Sequence, residues 1–594
     1  MLDCTSLSGH PFCSDVSPGC LRRVTSPGRG PPQCSPGLWQ ASTRLRRLAP
    51  NDIKRGTNVL LYQAFAAALR KHRIDVVFGL MGDANMLYLC DFQDRGGRFV
   101  PATHECSAVA MADAWSRMTG RVGVVSVTHG PAATNTLTAL VEAVRSRSRV
   151  LLVTGETPLE PTHLQRIDLA ALAATAGAAY DKVYRPASLV RDLNRAMQRV
   201  MAENRPVVFD VPIGMLRKEA GEQVPVVGAV PAPPPVIDPE RLQEALGLVA
   251  SAKRPVILAG RGAVAAGARD ELIELSGRLG APLATTLLAR EYFRDHPSCV
   301  GICGTLSHSV AIATIADADC VIAFGASLNI FTAYHGRLLN GKKIVQVDRD
   351  PAAFGWYTRV AEAVPGDAKA VAAAMIRALD EAGHEPARTW LRNVQHAVAK
   401  HDIAAEFSDQ SSADTVDVRT ASLRLDRVLP SRRVVVSDVG RYVVGVWPYL
   451  RVADPGDFAA MGSFGAIGLG LAGAIGAAIA RPGDLTVAVL GDGGFMMSMA
   501  ELSTAVRERL PLLVLVFDDG AYGAEYDKLV RFGIDPGYSL NACPDPVRVA
   551  EAMGARGTVV RRADEIDSLA TVVDQLDGPH LVDIKLDPNV NVLS

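Results

Sequence analysis

Charge of one sign is missing from this sequence. Its 62 Lys and Arg stand against 63 Asp and Glu over 594 residues, a formal net charge of −1. That balance gives no basic field for nucleic acid and no attraction to an acidic membrane surface. Long apolar runs are scarce too. The nearest, from Phe464 to Ala480, is short for a membrane span, is mostly Gly, Ala, Ile and Leu, and runs into Arg481-Pro482-Gly483-Asp484. Small residues at that density suit a helix packed closely in a soluble core. Paired cysteines are also missing. Cys4, Cys13, Cys20 and Cys34 fall at irregular intervals, and of Cys90, Cys106, Cys299, Cys303, Cys320 and Cys543 only Cys299/Cys303 are close, with no second ligand pair. This spacing argues against zinc and for reduced thiols in a cytoplasmic protein. No Gly-x-Gly-x-x-Gly follows a predicted strand with an acidic partner, which sets aside a nicotinamide dehydrogenase.

What is present is ample core material, 48% hydrophobic residues over a length that suits three or four domains. Residues 1–55 differ from the rest. They are rich in Pro, Gly, Ser and Arg without apolar periodicity, and are expected to be a disordered extension. A transit peptide or a misassigned start codon would account for them equally well. In 56–220, apolar runs such as Val76-Val77-Phe78-Gly79, Val124-Val125-Ser126-Val127 and Val150-Leu151-Leu152-Val153 alternate with helical patterns. The Pro-rich run 230–236 is a linker. A second such unit spans 236–396 and a third 415–594. Strands alternating with helices predict an α/β fold with three doubly wound parallel sheets.

The stretch 487–523 carries the chemistry. Val487-Ala488-Val489-Leu490 is a buried strand, Gly491-Asp492-Gly493-Gly494 a tight turn, and Met499, Leu502 and Val506 mark one amphipathic helix. A second strand, 512–517, ends in Asp518-Asp519-Gly520-Ala521-Tyr522-Gly523. In a βαβ unit both turns open on one edge of the sheet. Backbone N–H groups and carboxylates meeting there suit a diphosphate held together with a hard cation.

With Ile475-Gly476 and Pro482 upstream, this pattern resembles the signature of thiamine diphosphate enzymes of the acetolactate synthase and pyruvate decarboxylase superfamily. The order Phe78-Gly79, Thr103-His104-Glu105, Gly130-Pro131-Ala132-Ala133-Thr134-Asn135 is similar to its pyrimidine-binding domain, so the resemblance covers nearly everything after residue 55. It implies pyrimidine-binding, central and diphosphate-binding domains in that order. It implies Mg2+ on Asp492, the Asp519 side chain and the Ala521 carbonyl, with Gly491, Gly493, Gly494 and Tyr522 around the diphosphate. Glu105 would share a proton with the pyrimidine N1′, the Gly465 carbonyl would accept from the 4′-amino group, and Ile467 would wedge the cofactor into its bent form. Gln165 and His129 are candidates on the substrate side, and His129 and His104 could shuttle protons, although each histidine reads equally well as a structural one. The central domain holds FAD in acetolactate synthases and nothing in many relatives, and Gly260-Arg261-Gly262 reads better as a plain turn.

The implied activity is a carboligase or lyase acting on 2-oxo acids, by ylid addition, decarboxylation and enamine capture. Alternatives are a 2-oxo acid decarboxylase, a 2-hydroxyacyl-CoA lyase, or an inactive cofactor-binding relative. Because the superfamily builds its site from two subunits, a homodimer or homotetramer is implied. Several departures stand out: Met81-Gly82 for Pro-Gly, His129 for serine, Ala132 for glycine, and Asp519 for asparagine. Paired histidines and a tryptophan after the metal turn are absent, and Tyr522, Tyr526 and Lys528 occupy that region. The extra carboxylate at 519 predicts a steeper dependence on metal, unless a cation offsets it.

Overall fold

β-branched runs between Gly and Pro turns become strands buried on both faces, as parallel sheets with helices on each side require. The computed structural model describes residues 59–157, 162–590 and 592, and the expected extension 1–55 lies outside them. Three six-stranded sheets organise the described chain. The first holds β1 (Val76–Gly79), β2 (Arg98–Pro101), β3 (Gly123–Ser126), β4 (Val150–Thr154), β5 (Ala179–Lys182) and β6 (Val207–Asp210). The second holds β7 (Pro255–Ala259), β8 (Leu283–Thr285), β9 (Cys299–Ile302), β10 (Cys320–Phe324), β11 (Lys343–Asp348) and β12 (Glu362–Pro365). The third holds β13 (Arg433–Ser437), β14 (Phe458–Ala460), β15 (Leu485–Gly491), β16 (Leu512–Asp518), β17 (Arg556–Val560) and β18 (His580–Lys585).

Neighbouring strands pair in parallel in all three sheets. The first and third sheets share one winding, β2-β1-β3-β4-β6-β5 and β14-β13-β15-β16-β18-β17, while the middle one runs β12-β11-β10-β7-β8-β9. The middle sheet reverses direction once and the other two reverse twice, and crevices for ligands open beyond the strand ends at such a reversal. In the third sheet one reversal lies between β13 and β15, and Asp438 and Asp492 are the residues that follow those two strands.

The Gly/Ala-rich run forms a helix, Gly470–Ala480, buried from Gly470 to Ile479. It packs against the helix Glu105–Thr119 of the first domain, and one apolar core runs through both, joining Met111 and Ala114 to Ile475, Ala478 and Phe495. A Cβ placed on Gly476 would stand 2.0 Å from the Met111 carbonyl oxygen. Backbone cannot yield as a side chain can, so Gly476→Val should destabilise the chain by about 3 kcal/mol or more, read as a lower urea midpoint. An unchanged midpoint would contradict this packing.

The single amphipathic helix expected through Met499, Leu502 and Val506 is in fact broken. Asp492–Ser498 is followed by a 3-10 turn, Met499–Glu501, and a short helix, Leu502–Arg507. The Ser498 hydroxyl donates back to the Gly494 carbonyl at 3.0 Å, a bond that bends helices, and the Glu501 carboxylate is drawn across to Thr103. Elsewhere, Glu406 accepts from the Ser309 N–H and hydroxyl and from His401, fastening the segment after the central sheet onto the helix Ser309–Asp317. His401 stacks on His308 with planes 21° apart. Lone pairs in nearly parallel planes do not converge on one metal ion, so the group serves as a clasp. Among the described residues no helix is long and apolar enough to cross a membrane.

Candidate functional site

β15 and β16 lie side by side with Gly491 opposite Phe517, so their turns converge as the βαβ reading requires. Three carboxylates meet there, and their partners differ. Asp518 pairs with Lys585, which also reaches Asp583 at 2.8 Å. Asp519 pairs with Arg441 at 2.6 Å, and the same guanidinium holds Asp527 at 3.0 Å and donates to the Pro588 carbonyl. Asp492, 3% exposed, has no cation among the described residues, and the one side chain that donates to it there is the Cys543 thiol, at 4.0 Å. Burial pushes Asp492 up to about 7, and the charges of Asp519 and Asp518 add to the effect. Burial raises Asp519 as well, opposed by Arg441.

Arg441 answers the question posed by aspartate at 519. The charge offset is supplied by the chain itself. Nothing in the sequence pairs the two, because 78 positions separate them and only the sheet, in which β15 alone stands between β13 and β16, brings the segment after β13 within reach of the turn after β16.

The loop before the Gly/Ala helix is built on left-handed glycines. Gly465 has φ +85° and Gly468 φ +88°, conformations that disfavour any side chain. Gly468 donates its N–H to Asp438 at 2.7 Å. Burial pushes that fully buried aspartate up to about 7, against backbone N–H groups of Gly468, Val439 and Gly470. A Cβ on Gly494 would come within 2.6 Å of the Asp438 carboxylate. Glu142 of the first domain accepts the Phe464 N–H at 2.6 Å, and Ser146 bonds Ser463 at 2.8 Å, so the first domain steadies the start of this loop. Ile467 is half-buried and therefore free to touch a ligand.

In the first domain Glu105 opens its helix, capped by the His104 side chain, and accepts from the Asn135 amide at 3.0 Å. It is half-buried in the single chain. His129 follows β3 and is buried; its Nε2 meets the Gln165 Oε1 at 2.7 Å and its Nδ1 the Thr128 hydroxyl at 3.3 Å. Gly130 makes this possible, since a Cβ there would stand 2.5 Å from the Gln165 carbonyl oxygen. The predicted residues thus fall into two groups. Glu105, His129 and Gln165 lie at one sheet edge; Gly465, Ile467, Gly491, Asp492, Gly493, Gly494, Asp519, Ala521 and Tyr522 lie at another. No hydrogen bond or ion pair among the described residues joins Glu105, His129 or Gln165 to Asp492, Asp519 or Gly465. Sequence reasoning missed Arg441, Asp438, Glu142 and Asn135 as participants.

The second group fits a diphosphate with its cation. A buried carboxylate lacking a cation faces two others, which a hard divalent ion would relieve. Beyond the adjoining backbone, nothing lies within 4 Å of the position a Cβ would take on Gly465, and at Gly493 only the Tyr522 ring approaches, at 3.5 Å. A carboxyl raised on folding adds to stability while protonated and withdraws that contribution as pH climbs from its ordinary value toward its folded one. For Asp492 that window runs from 3.8 to about 7. In metal-free protein, Asp492→Asn should therefore gain on the wild type as pH rises, by at most about 1.4 kcal/mol per pH unit, measured as urea midpoints at both ends of the window. A constant offset would contradict the assignment.

The sequence matches known families and proteins along most of its length. Residues 60–172 match the family described as "Thiamine pyrophosphate enzyme, N-terminal TPP binding domain", 242–375 its central domain, and 438–584 its C-terminal TPP binding domain. A sulfoacetaldehyde acetyltransferase of Alcaligenes xylosoxydans xylosoxydans is 30% identical over 85% of this chain and 88% of its own length. A probable acetolactate synthase large subunit of Methanocaldococcus jannaschii is 28% identical over 89% and 92%. The acetolactate synthase isozyme 2 large subunit of Escherichia coli (strain K12) is 27% identical over 88% and 95%.

Proposed function

The chain belongs to the thiamine pyrophosphate enzymes, of the acetolactate synthase and sulfoacetaldehyde acetyltransferase kind, and from that premise we propose that it is a Mg2+-dependent carboligase or lyase acting on 2-oxo acids. The observation that carries the metal and diphosphate end is Asp492, a buried carboxylate without a cation between two that have one. Asp492, the Asp519 side chain and the Ala521 carbonyl would hold Mg2+, with Gly491, Gly493, Gly494 and Tyr522 around the diphosphate. Bound thiamine diphosphate supplies the electron sink for breaking and making bonds at a carbonyl carbon. The protein must orient it and handle its protons. Glu105 would hold a proton at the pyrimidine N1′, with Asn135 fixing its carboxylate. The Gly465 carbonyl would accept from the 4′-amino group, and Ile467 would press between the rings. His129 and Gln165, already bonded to each other, would present one polar surface to the acceptor.

Two edges of one chain then complete each other only across a homodimer, or a homotetramer of such pairs, with a cytoplasmic location in keeping. Visible absorbance of the purified protein decides whether the central domain also takes FAD. The acetyltransferase relatives support a second reading, in which sulfoacetaldehyde is the donor. Purified protein with thiamine diphosphate and Mg2+ should turn over pyruvate or another 2-oxo acid, with products identified by mass spectrometry. Turnover of sulfoacetaldehyde alone favours the second reading, and turnover of neither counts against both.

Arg441 sets a further expectation. Metal-free cofactor affinity should fall about tenfold in Arg441→Met, which leaves the Asp519 charge unpaired beside the diphosphate, and stay within about twofold in Asp519→Asn. Titration with and without Mg2+ reads both. An equal loss in the two variants would show that Arg441 does not offset that charge.

A further inference from the structure

We propose that Glu501 is a positioning residue for Glu105, a role that rests on the proton-handling assignment of Glu105. Glu501 is 1% exposed and forms no ion pair among the described residues. Its charge is instead met by donors from the other domain. Oε1 accepts the Thr103 N–H at 2.9 Å, the Thr103 hydroxyl, and the His104 N–H at 3.1 Å. Oε2 accepts the Thr504 hydroxyl at 2.9 Å. A buried carboxylate with this donor set is held in place by charge-assisted bonds, and it holds their donors in return.

The donors are the two residues before Glu105. His104 is the N-cap of the helix that Glu105 opens, with extended backbone at φ −146° and ψ 145°. Thr103 and His104 are themselves exposed, and little else buries that turn. The direction in which Glu105 leaves the sheet edge therefore depends on three bonds to one carboxylate oxygen. That oxygen stands at the end of the 3-10 turn that continues the helix begun by Asp492. The break in that helix, where the Ser498 hydroxyl bonds back to the Gly494 carbonyl, is what delivers Glu501 to Thr103. Glu501 meets neither Asp492 nor the glycine cradle in any hydrogen bond of the described residues, so it can shape proton handling without altering diphosphate binding.

The test uses the full chain loaded with thiamine diphosphate and Mg2+. Glu501→Gln keeps the shape and one acceptor oxygen but loses the charge; Glu501→Ala leaves the donors unmet. Hydrogen–deuterium exchange at the cofactor C2 should slow about tenfold in the first and about a hundredfold in the second, as small misplacements of a reacting group do. Cofactor affinity in Mg2+ should stay within about twofold of wild type. If Glu501→Ala does not fold, Glu501→Gln alone decides. Exchange at the wild-type rate in the folded variants overturns the proposal, and so does exchange lost only in proportion to cofactor affinity, which marks a purely structural role. Absence of exchange in the wild type overturns the Glu105 assignment together with this one.

Discussion

Glu105→Gln should slow hydrogen–deuterium exchange at C2 of bound thiamine diphosphate by about 10²–10⁴-fold, the span that a positioned acid or base contributes. The substitution is nearly isosteric. Its amide oxygen can still accept from Asn135, which now sits 3.0 Å from the Glu105 carboxylate, and the His104 cap does not involve the side chain that changes. Folding and helix geometry should therefore persist. Cofactor affinity should also persist, because the diphosphate and metal contacts lie on the third sheet. Loss of exchange with affinity intact marks a proton-handling group. Loss of both would make Glu105 a binding residue, and loss of neither would return it to an ordinary helix terminus. Product formation should fall in step with exchange.

Asp492→Ala should do the opposite. Mg2+-dependent cofactor affinity should drop about a hundredfold or more, since even residues that only support a metal ligand cost 10–100-fold when removed. The metal-free chain should meanwhile keep or gain stability at neutral pH. The wild type buries this carboxylate, pushed up to about 7, beside Asp519 and Asp518 with no cation of its own. Removing an unpaired buried charge relieves a penalty that packing loss at a small side chain only partly offsets. Affinity falling while stability holds separates a ligand from a structural residue; calorimetric titration and urea midpoints on the same samples read the two. Falling stability with unchanged affinity would contradict the assignment.

Legibility in the sequence followed burial. Strands such as Val150–Thr154 and Leu512–Asp518 are continuous apolar runs because both faces are covered, and they were readable directly. Those that escaped, β5, β9, β12, β14 and β17, are sheet edges, joined by the three-residue β8. Ala179-Tyr180-Asp181-Lys182 alternates buried with half-buried residues, and its polar positions hide the strand. The Gly491-Asp492 and Asp518-Asp519 turns could be placed together because one βαβ unit connects them. Arg441 could not be placed, since its partner is fixed by strand order rather than by spacing. Glu142 and Glu501 escaped for the same reason: each bonds across the first and third domains, to partners far away in sequence. His129 read equally well as structural or functional, and its bond to Gln165 is compatible with both.

In the proposed enzyme the two groups form one site, Glu105 of one chain facing Asp492 of another. Mixing Glu105→Gln and Asp492→Ala proteins after reversible dissociation puts that pairing to the test. Each variant alone should show little C2 exchange. A mixed dimer would carry one doubly altered site and one wild-type site, so random reassociation should restore about a quarter of the wild-type exchange. Restoration near that level is the predicted result. No restoration, in mixtures shown by mass to contain mixed dimers, would contradict a site shared between chains.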